Sequence, residues 1–211
     1  NASTVFAPGS NFSSKSEYTI ISHFGRVNYD YDQRFLLTMV YRVDGISRFA
    51  KENRAAFFPG MSAGWNMHRE NFFENSGISN IISTFKPRIS YGSNGNADVV
   101  GNYEVQGVYG SQGNYNGSLG FLNTGIINSS LRWEKSTMTD FGLDIGFLKN
   151  RVTLIFDYFD RRNKDLLQSL QLPGYLGFSS LTTNLGQLQN KGIEFTVNAN
   201  ILFEDTDASP Y

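Results

Sequence analysis

The chain of 211 residues contains no cysteine, which excludes disulfides, cysteine-ligated zinc and thiol catalysis. Only two histidines are present, His23 and His68, too far apart in sequence to suggest a metal motif. Neither sign of charge dominates. Eighteen basic residues face 19 acidic ones, net −1, so no chain-wide electrostatic grip on nucleic acid is expected. No Ser-His-Asp set is credible with so few histidines. The glycine-rich stretch Gly92–Asn96 lacks the Lys-Ser/Thr pair of a phosphate loop. No enzyme activity, cofactor or metal is therefore expected. Long apolar runs are missing as well, which excludes a bilayer-spanning helix. A membrane β-barrel stays open, because its strands alternate and escape hydropathy scales.

What is present favours strands. Aromatics make up 15% of the chain, glycine is abundant at 21 residues, and only 18% is charged. This composition suits pleated strands and turns better than helices. Alternation with period two is clear in several places. Phe141, Leu143, Ile145 and Phe147 alternate with Asp140, Gly142, Asp144 and Gly146. Phe35, Leu37, Met39, Tyr41 and Val43 alternate with a mixed set that includes Arg34, Thr38, Arg42 and Asp44. Ile193, Phe195, Val197 and Ala199 alternate with Glu194, Thr196 and Asn198. Strands are expected near 16–29, 34–44, 57–68, 82–92, 131–148, 150–161 and 187–202. A further hairpin is expected around 103–109 and 117–122, and one helical turn within 69–81.

The connections alternate in length. Asp30–Arg34 and Lys149-Asn150 are short, whereas 45–56, 93–130 and 162–186 are long and rich in Gly, Asn and Ser. Short turns at one end and long loops at the other is the outer-membrane barrel pattern. The fold class expected is all-β, a segment of a transmembrane antiparallel β-barrel. The inward positions are too small and polar to fill a narrow barrel, which argues for part of a larger sheet. A chain of this size should not close a barrel alone, and its edge strands would need other strands to cover them.

Specific residues then resemble a known family. Tyr41–Phe49 (YRVDGISRF) and Phe58–Phe72 (FPGMSAGWNMHRENF) are similar to the C-terminal barrel half of SusC/RagA-type TonB-dependent transporters of Bacteroidota. Arg88–Asn96, Leu131–Thr137 (LRWEKST), Phe156–Phe159, Lys164–Leu167 and Asn190–Phe195 follow in the same order. The resemblance implies a plugged barrel of about 22 strands. It implies a full-length parent that imports oligosaccharides or peptides, with a SusD-like lipoprotein as lid and TonB as the energy source. On that view residues 1–211 are a partial C-terminal barrel domain, without the plug and the first half of the barrel. The partners implied are outer-membrane lipid, the lipoprotein, the TonB system through the plug, and the remaining strands.

Candidate residues divide into two groups. Arg34, Arg42, Asp44, Arg88, Asp140, Asp144 and Glu194 are expected to face the lumen. For Arg42, Asp44 and Arg48 a structural ion pair at a strand-to-loop corner is preferred to a place on the transport path. The loop aromatics Tyr103, Tyr109, Tyr115, Tyr175 and Phe178 are candidates for ligand or partner contact, since exposed aromatics need a reason to be exposed. Trp65, Trp133, Tyr158, Phe57-Phe58 and Phe72-Phe73 are assigned to interfacial girdles. Two rivals are weighed: a similar barrel serving as a structural subunit of an outer-membrane assembly machine, and a glycan-binding surface β-sandwich.

Overall fold

The computed structural model describes residues 15–116 and 118–200, with backbone alone at 112–115 and 119. Its frame is one seven-stranded sheet, antiparallel throughout. The strands are β1 (Ile20–Tyr31), β2 (Phe35–Ile46), β3 (Ala55–Trp65), β4 (Ile82–Asn96), β7 (Glu134–Phe147), β8 (Val152–Lys164) and β11 (Gln187–Ala199). Their spatial order is β1-β2-β3-β4-β7-β8-β11. The two gaps in that numbering are hairpins of the long loops, β5 (Tyr109–Tyr115) with β6 (Ser118–Asn123), and β9 (Leu167–Gln171) with β10 (Ser180–Asn184).

All seven expected strands are present, with shifted ends. The hairpin in 93–130 exists, but its first arm runs over 109–115, while 104–106 is a 3-10 turn. Gly107, at φ 84°, separates the two and breaks any continuous strand there. The β9–β10 hairpin has no signal in the sequence, because its mostly polar five-residue arms carry no alternation. The expected helical turn is α1 (Asn71–Glu74). No described helix is long and apolar enough to cross a membrane.

The short turns form for a local reason. Asp32 and Gln33 sit at φ 52°, and Lys149 and Asn150 at 57° and 62°. Paired left-handed residues give the turn twist that matches two antiparallel strands. Both turns lie at one end of the sheet, together with α1. Loops 47–54, 97–133 and 165–186 lie at the other.

Register then separates the two faces. Across one row, Tyr29 stands opposite Leu37, Leu37 opposite Ala63, Ala63 opposite Ile89, and Ile89 opposite Phe141. Phe141 continues to Tyr158 and Tyr158 to Ile193. A neighbouring row runs Pro87, Leu143, Phe156 and Phe195. Over these rows the face is apolar from edge to edge, with Phe141 and Ile193 exposed on it, whereas one row nearer the long loops Val27, Met39 and Met61 lead through Tyr91 to the polar Thr139, Asp160 and Lys191. A glycan-binding sandwich would hide such a face against a second sheet, and none packs there among the described residues.

Where the apolar core does lie is at the long-loop end. Ile46, Phe49, Phe58, Ala97, Val100, Leu131, Trp133 and Leu167 form one buried cluster, with Phe49 and Leu131 fully inaccessible. This corrects the girdle assignment of Phe58 and Trp133. Their rings meet edge to face at 5.6 Å inside the cluster. Phe73 is also buried, stacked on Phe85 at the short-turn end.

Leu143 lies on the apolar face five residues above the β7–β8 turn. If the barrel expectation holds, Leu143→Arg should cost roughly 2–4 kcal/mol in a bilayer, the expected penalty for a cation near mid-membrane. Asn198→Arg on the opposite face should be tolerated. Urea unfolding in liposomes measures both.

Candidate functional site: the polar face and the loop platform

The centre of the polar face is Arg88. It stands on β4 opposite Gly142 of β7, which in turn stands opposite Asp157 of β8. Gly142 has no side chain to block the path, so the guanidinium lies across it. It reaches Asp144 at 3.2 Å, Asp140 at 3.3 Å and Asp157 at 2.5 Å. Asp140 and Asp144 flank Gly142 at i−2 and i+2, which puts both on the same face. Glu194 of β11 is opposite Asp157, and Lys86 is opposite Asp144. Carboxylates thus outnumber cations at this level. Beside them Thr38, Ser62 and Ser90 line a cleft of about 270 Å³ that also borders Lys86, Arg88 and Asp140.

The other polar candidates lie elsewhere. Arg34 is in the β1–β2 turn, bonded to Asp32 at 3.1 Å and Glu70 at 3.3 Å. Glu70 also accepts from Trp65 Nε1 at 3.1 Å, which ties the turn to the segment after β3. Arg42 pairs with Asp44 at 2.8 Å near the loop end of β2, and Asp44 is only 7% exposed. Arg48 is not part of that pair. It donates to Asn102 at 2.8 Å and to the Ala97 carbonyl at 3.2 Å, and lies over the Tyr18 ring at 4.2 Å.

Arg48 is one of several groups that brace the loop cluster. Arg54 donates to the Phe49 carbonyl, and Trp133 Nε1 to the Arg54 carbonyl at 2.9 Å. A Cβ at Gly95 would collide with the Phe58 ring, so this glycine admits Phe58 into the cluster. Residues 16–19, ahead of β1, join through the Thr19 N–H, which donates to Ser47 Oγ, the Ser47 N–H, which donates to the Thr19 carbonyl, and Asn102 Nδ2, which donates to Ser16 Oγ. Arg132 pairs with Asp165 at 2.6 Å, and Asn184 bridges Arg132 and Asp165. No sequence signal marked Asn184 or Asn102, whose roles need distant partners.

The loop aromatics separate. Tyr103 accepts from the Glu17 backbone N–H at 3.2 Å and belongs to the platform. Tyr109 and Tyr175 are free on the two hairpins, 70% and 86% exposed. Phe178 is half-buried in a small cleft between the hairpins. The Tyr115 side chain lies outside the described residues.

Two outcomes follow. A Cβ at Gly142 would come within 2.3 Å of the Arg88 guanidinium carbon, while at Gly92 it would meet nothing within 4 Å. Gly142→Ala should therefore destabilise the folded protein by about 1–3 kcal/mol, the usual cost of overpacking. Gly92→Ala should be near neutral, both read by urea unfolding. At the loop base, the hydrogen bond from Arg132 holds the Asp165 carboxyl below its ordinary value. A depressed folded pKa stabilises above the unfolded carboxylate value, near 3.9, and the benefit is lost as pH falls through the folded one. Protection of 165–186 against hydrogen exchange should thus weaken below about pH 4. Arg132→Gln should remove that extra acid sensitivity.

Comparison with known proteins agrees with this geometry. Residues 1–209 match the family model described as TonB dependent receptor-like, beta-barrel. The chain is 42% identical over 193 residues to TonB-dependent receptor P3 of Formosa agariphila, covering 90% of this chain and 19% of that protein. It is 36% identical over 189 residues to TonB-dependent receptor SusC of Bacteroides thetaiotaomicron, covering 86% of this chain and 18% of that one. Among solved structures it superposes on the RagAB peptide importer in the closed-closed state with a TM-score of 0.79 and 29% identity, over 89% of this chain and 20% of that one. The chain spans about a fifth of the length of these relatives. It belongs to the TonB-dependent receptor β-barrels of SusC/RagA type, which reside in the bacterial outer membrane and are not enzymes.

Proposed function

We propose that this chain is a stretch of the wall of a SusC-like importer. Its apolar face meets outer-membrane lipid. Its polar face, with Arg88, Asp140, Asp144 and Glu194, looks into the lumen and toward a plug. The long loops stand outside the cell and carry a SusD-like lipoprotein lid, and TonB drives import through the plug. The cargo is an oligosaccharide or a peptide.

One observation carries the reading. A single in-register sheet has one face apolar across all seven strands over the rows nearer the short turns, while the other face carries the Arg88 ion pairs among hydroxyls and glycines. Such a sheet suits hydrocarbon on one side and water or polar protein on the other. Its edges β1 and β11 pair with no further strand among the described residues. In a bilayer both would need neighbours, since lipid cannot satisfy backbone groups. The Arg88 cluster is a fixed structural clasp on this wall, with a polar cleft beside it.

The experiment is uptake by cells. Deleting the parent gene, or the energy-transducing TonB protein, should each abolish accumulation of labelled oligosaccharide or peptide that the intact cells import. Uptake unchanged in the parent deletion, across panels of both cargo classes, overturns the importer reading.

A further inference from the structure

On the face that carries the apolar rows, the long-loop end of β7, β8 and β11 is cationic. Thr139, Asp160 and Lys191 stand side by side across the three strands, then Thr137, Arg162 and Gln189, then Lys135, Lys164 and Gln187. The row beneath them is Phe141, Tyr158 and Ile193. Four cations thus share these rows with a single carboxylate, and that carboxylate is engaged. Asp160 accepts from Arg162 and from Gln189, each at 2.8 Å, and Lys191 Nζ lies 3.9 Å away. Asp165, just past β8, is held by Arg132 at 2.6 Å. Lys135 and Lys164 are exposed and lie in the field of Asp165, but neither forms an ion pair among the described residues.

Lys135 and Lys164 stand directly opposite each other. Like charges at such a cross-strand pair repel, so the arrangement costs stability unless an anion joins them. Both lysines border a cleft of about 460 Å³, together with Arg162, Thr137 and Thr139 and the two engaged carboxylates. Ammonium, guanidinium and hydroxyl donors around one space suit a phosphate. A general interfacial belt of cations would run along the whole wall. Here β1 to β4 carry no lysine or arginine on this face. The positive charge is gathered on three strands, directly above apolar rows.

We propose that this patch binds the phosphate of a lipid head group in the outer leaflet, between Lys135 and Lys164. This rests on the reading above that the apolar face meets outer-membrane lipid, with the long loops outside. A lipid whose chains lie on Phe141, Leu143 and Phe156 brings its head group to the level of the patch, so one surface holds both tail and head. The phosphate turns the repulsion of the two lysines into attraction, and clustered lysines and arginines beside a membrane favour anionic head groups.

The test is native mass spectrometry of the full-length parent in detergent, offered lipid A with its phosphates or the same lipid after a phosphatase has removed them. Heat-modifiability on a gel checks that each variant folds. The variants are Lys135→Gln with Lys164→Gln, and Lys51→Gln, an exposed cation of the β2–β3 loop, as control. The wild type and the control should hold the phosphorylated lipid at least about tenfold better than the phosphate-free one. The folded double variant should hold the phosphorylated lipid at least about tenfold less than the wild type, with a weaker dependence on salt. Equal retention of both lipids by the wild type overturns this inference, and so does full retention by the double variant. Inorganic phosphate that displaces the lipid at equal concentration assigns the cleft to the free ion and overturns the lipid as its occupant. Each of these results leaves the importer reading standing, since uptake by cells is measured separately. A parent that leaves the outer membrane without detergent removes the lipid contact from that reading, and this inference with it.

Discussion

Hydrocarbon offers a backbone no hydrogen bonds, and everything in this chain follows from that constraint. A strand in the membrane must pair along both sides, so the seven strands run in long antiparallel registers. The same constraint assigns each face one chemistry. With one face given to apolar side chains and the other to polar ones, the sheet has no dry core of its own. The main buried cluster therefore sits beyond it, under the long loops.

That displacement explains the motif residues. Phe49, Leu131 and Trp133 fall in the YRVDGISRF and LRWEKST stretches that carry the family resemblance, and all three are buried in the loop cluster. Arg48 caps the same cluster through Asn102, Ala97 and Tyr18. The stretches that make the family recognisable thus build a rigid platform. The uncharged hairpins stand above it, and a stable base lets such marginal ribbons hold a position.

On the polar face, Gly142 matters through what it leaves out. Its bare backbone lets one guanidinium reach carboxylates on two strands, joining β4, β7 and β8 by side chains as well as by the ladder. An ion pair at a half-exposed site is worth little alone. Three sharing one planar fork also orient each other, which gives the wall a defined charge pattern at mid-sheet.

The sequence by itself determined the seven strands, their facing and the split between short turns and long loops, because period-two alternation and left-handed turn residues act over a few neighbours. It also placed Arg88, Asp140, Asp144 and Glu194 on one side, since parity alone decides that. Only the tertiary structure decided which of them meet. Arg88 and Asp157 are 69 residues apart in sequence, and register across two strand pairs brings them together. The burial of Trp133 and Phe58 is likewise a tertiary matter. An aromatic at a strand end suits a membrane girdle or a loop core equally well, and the choice depends on whether distant loops fold over it. The β9–β10 hairpin was illegible locally, because polar ribbons depend on the platform beneath them and carry no apolar stripe to announce their pairing.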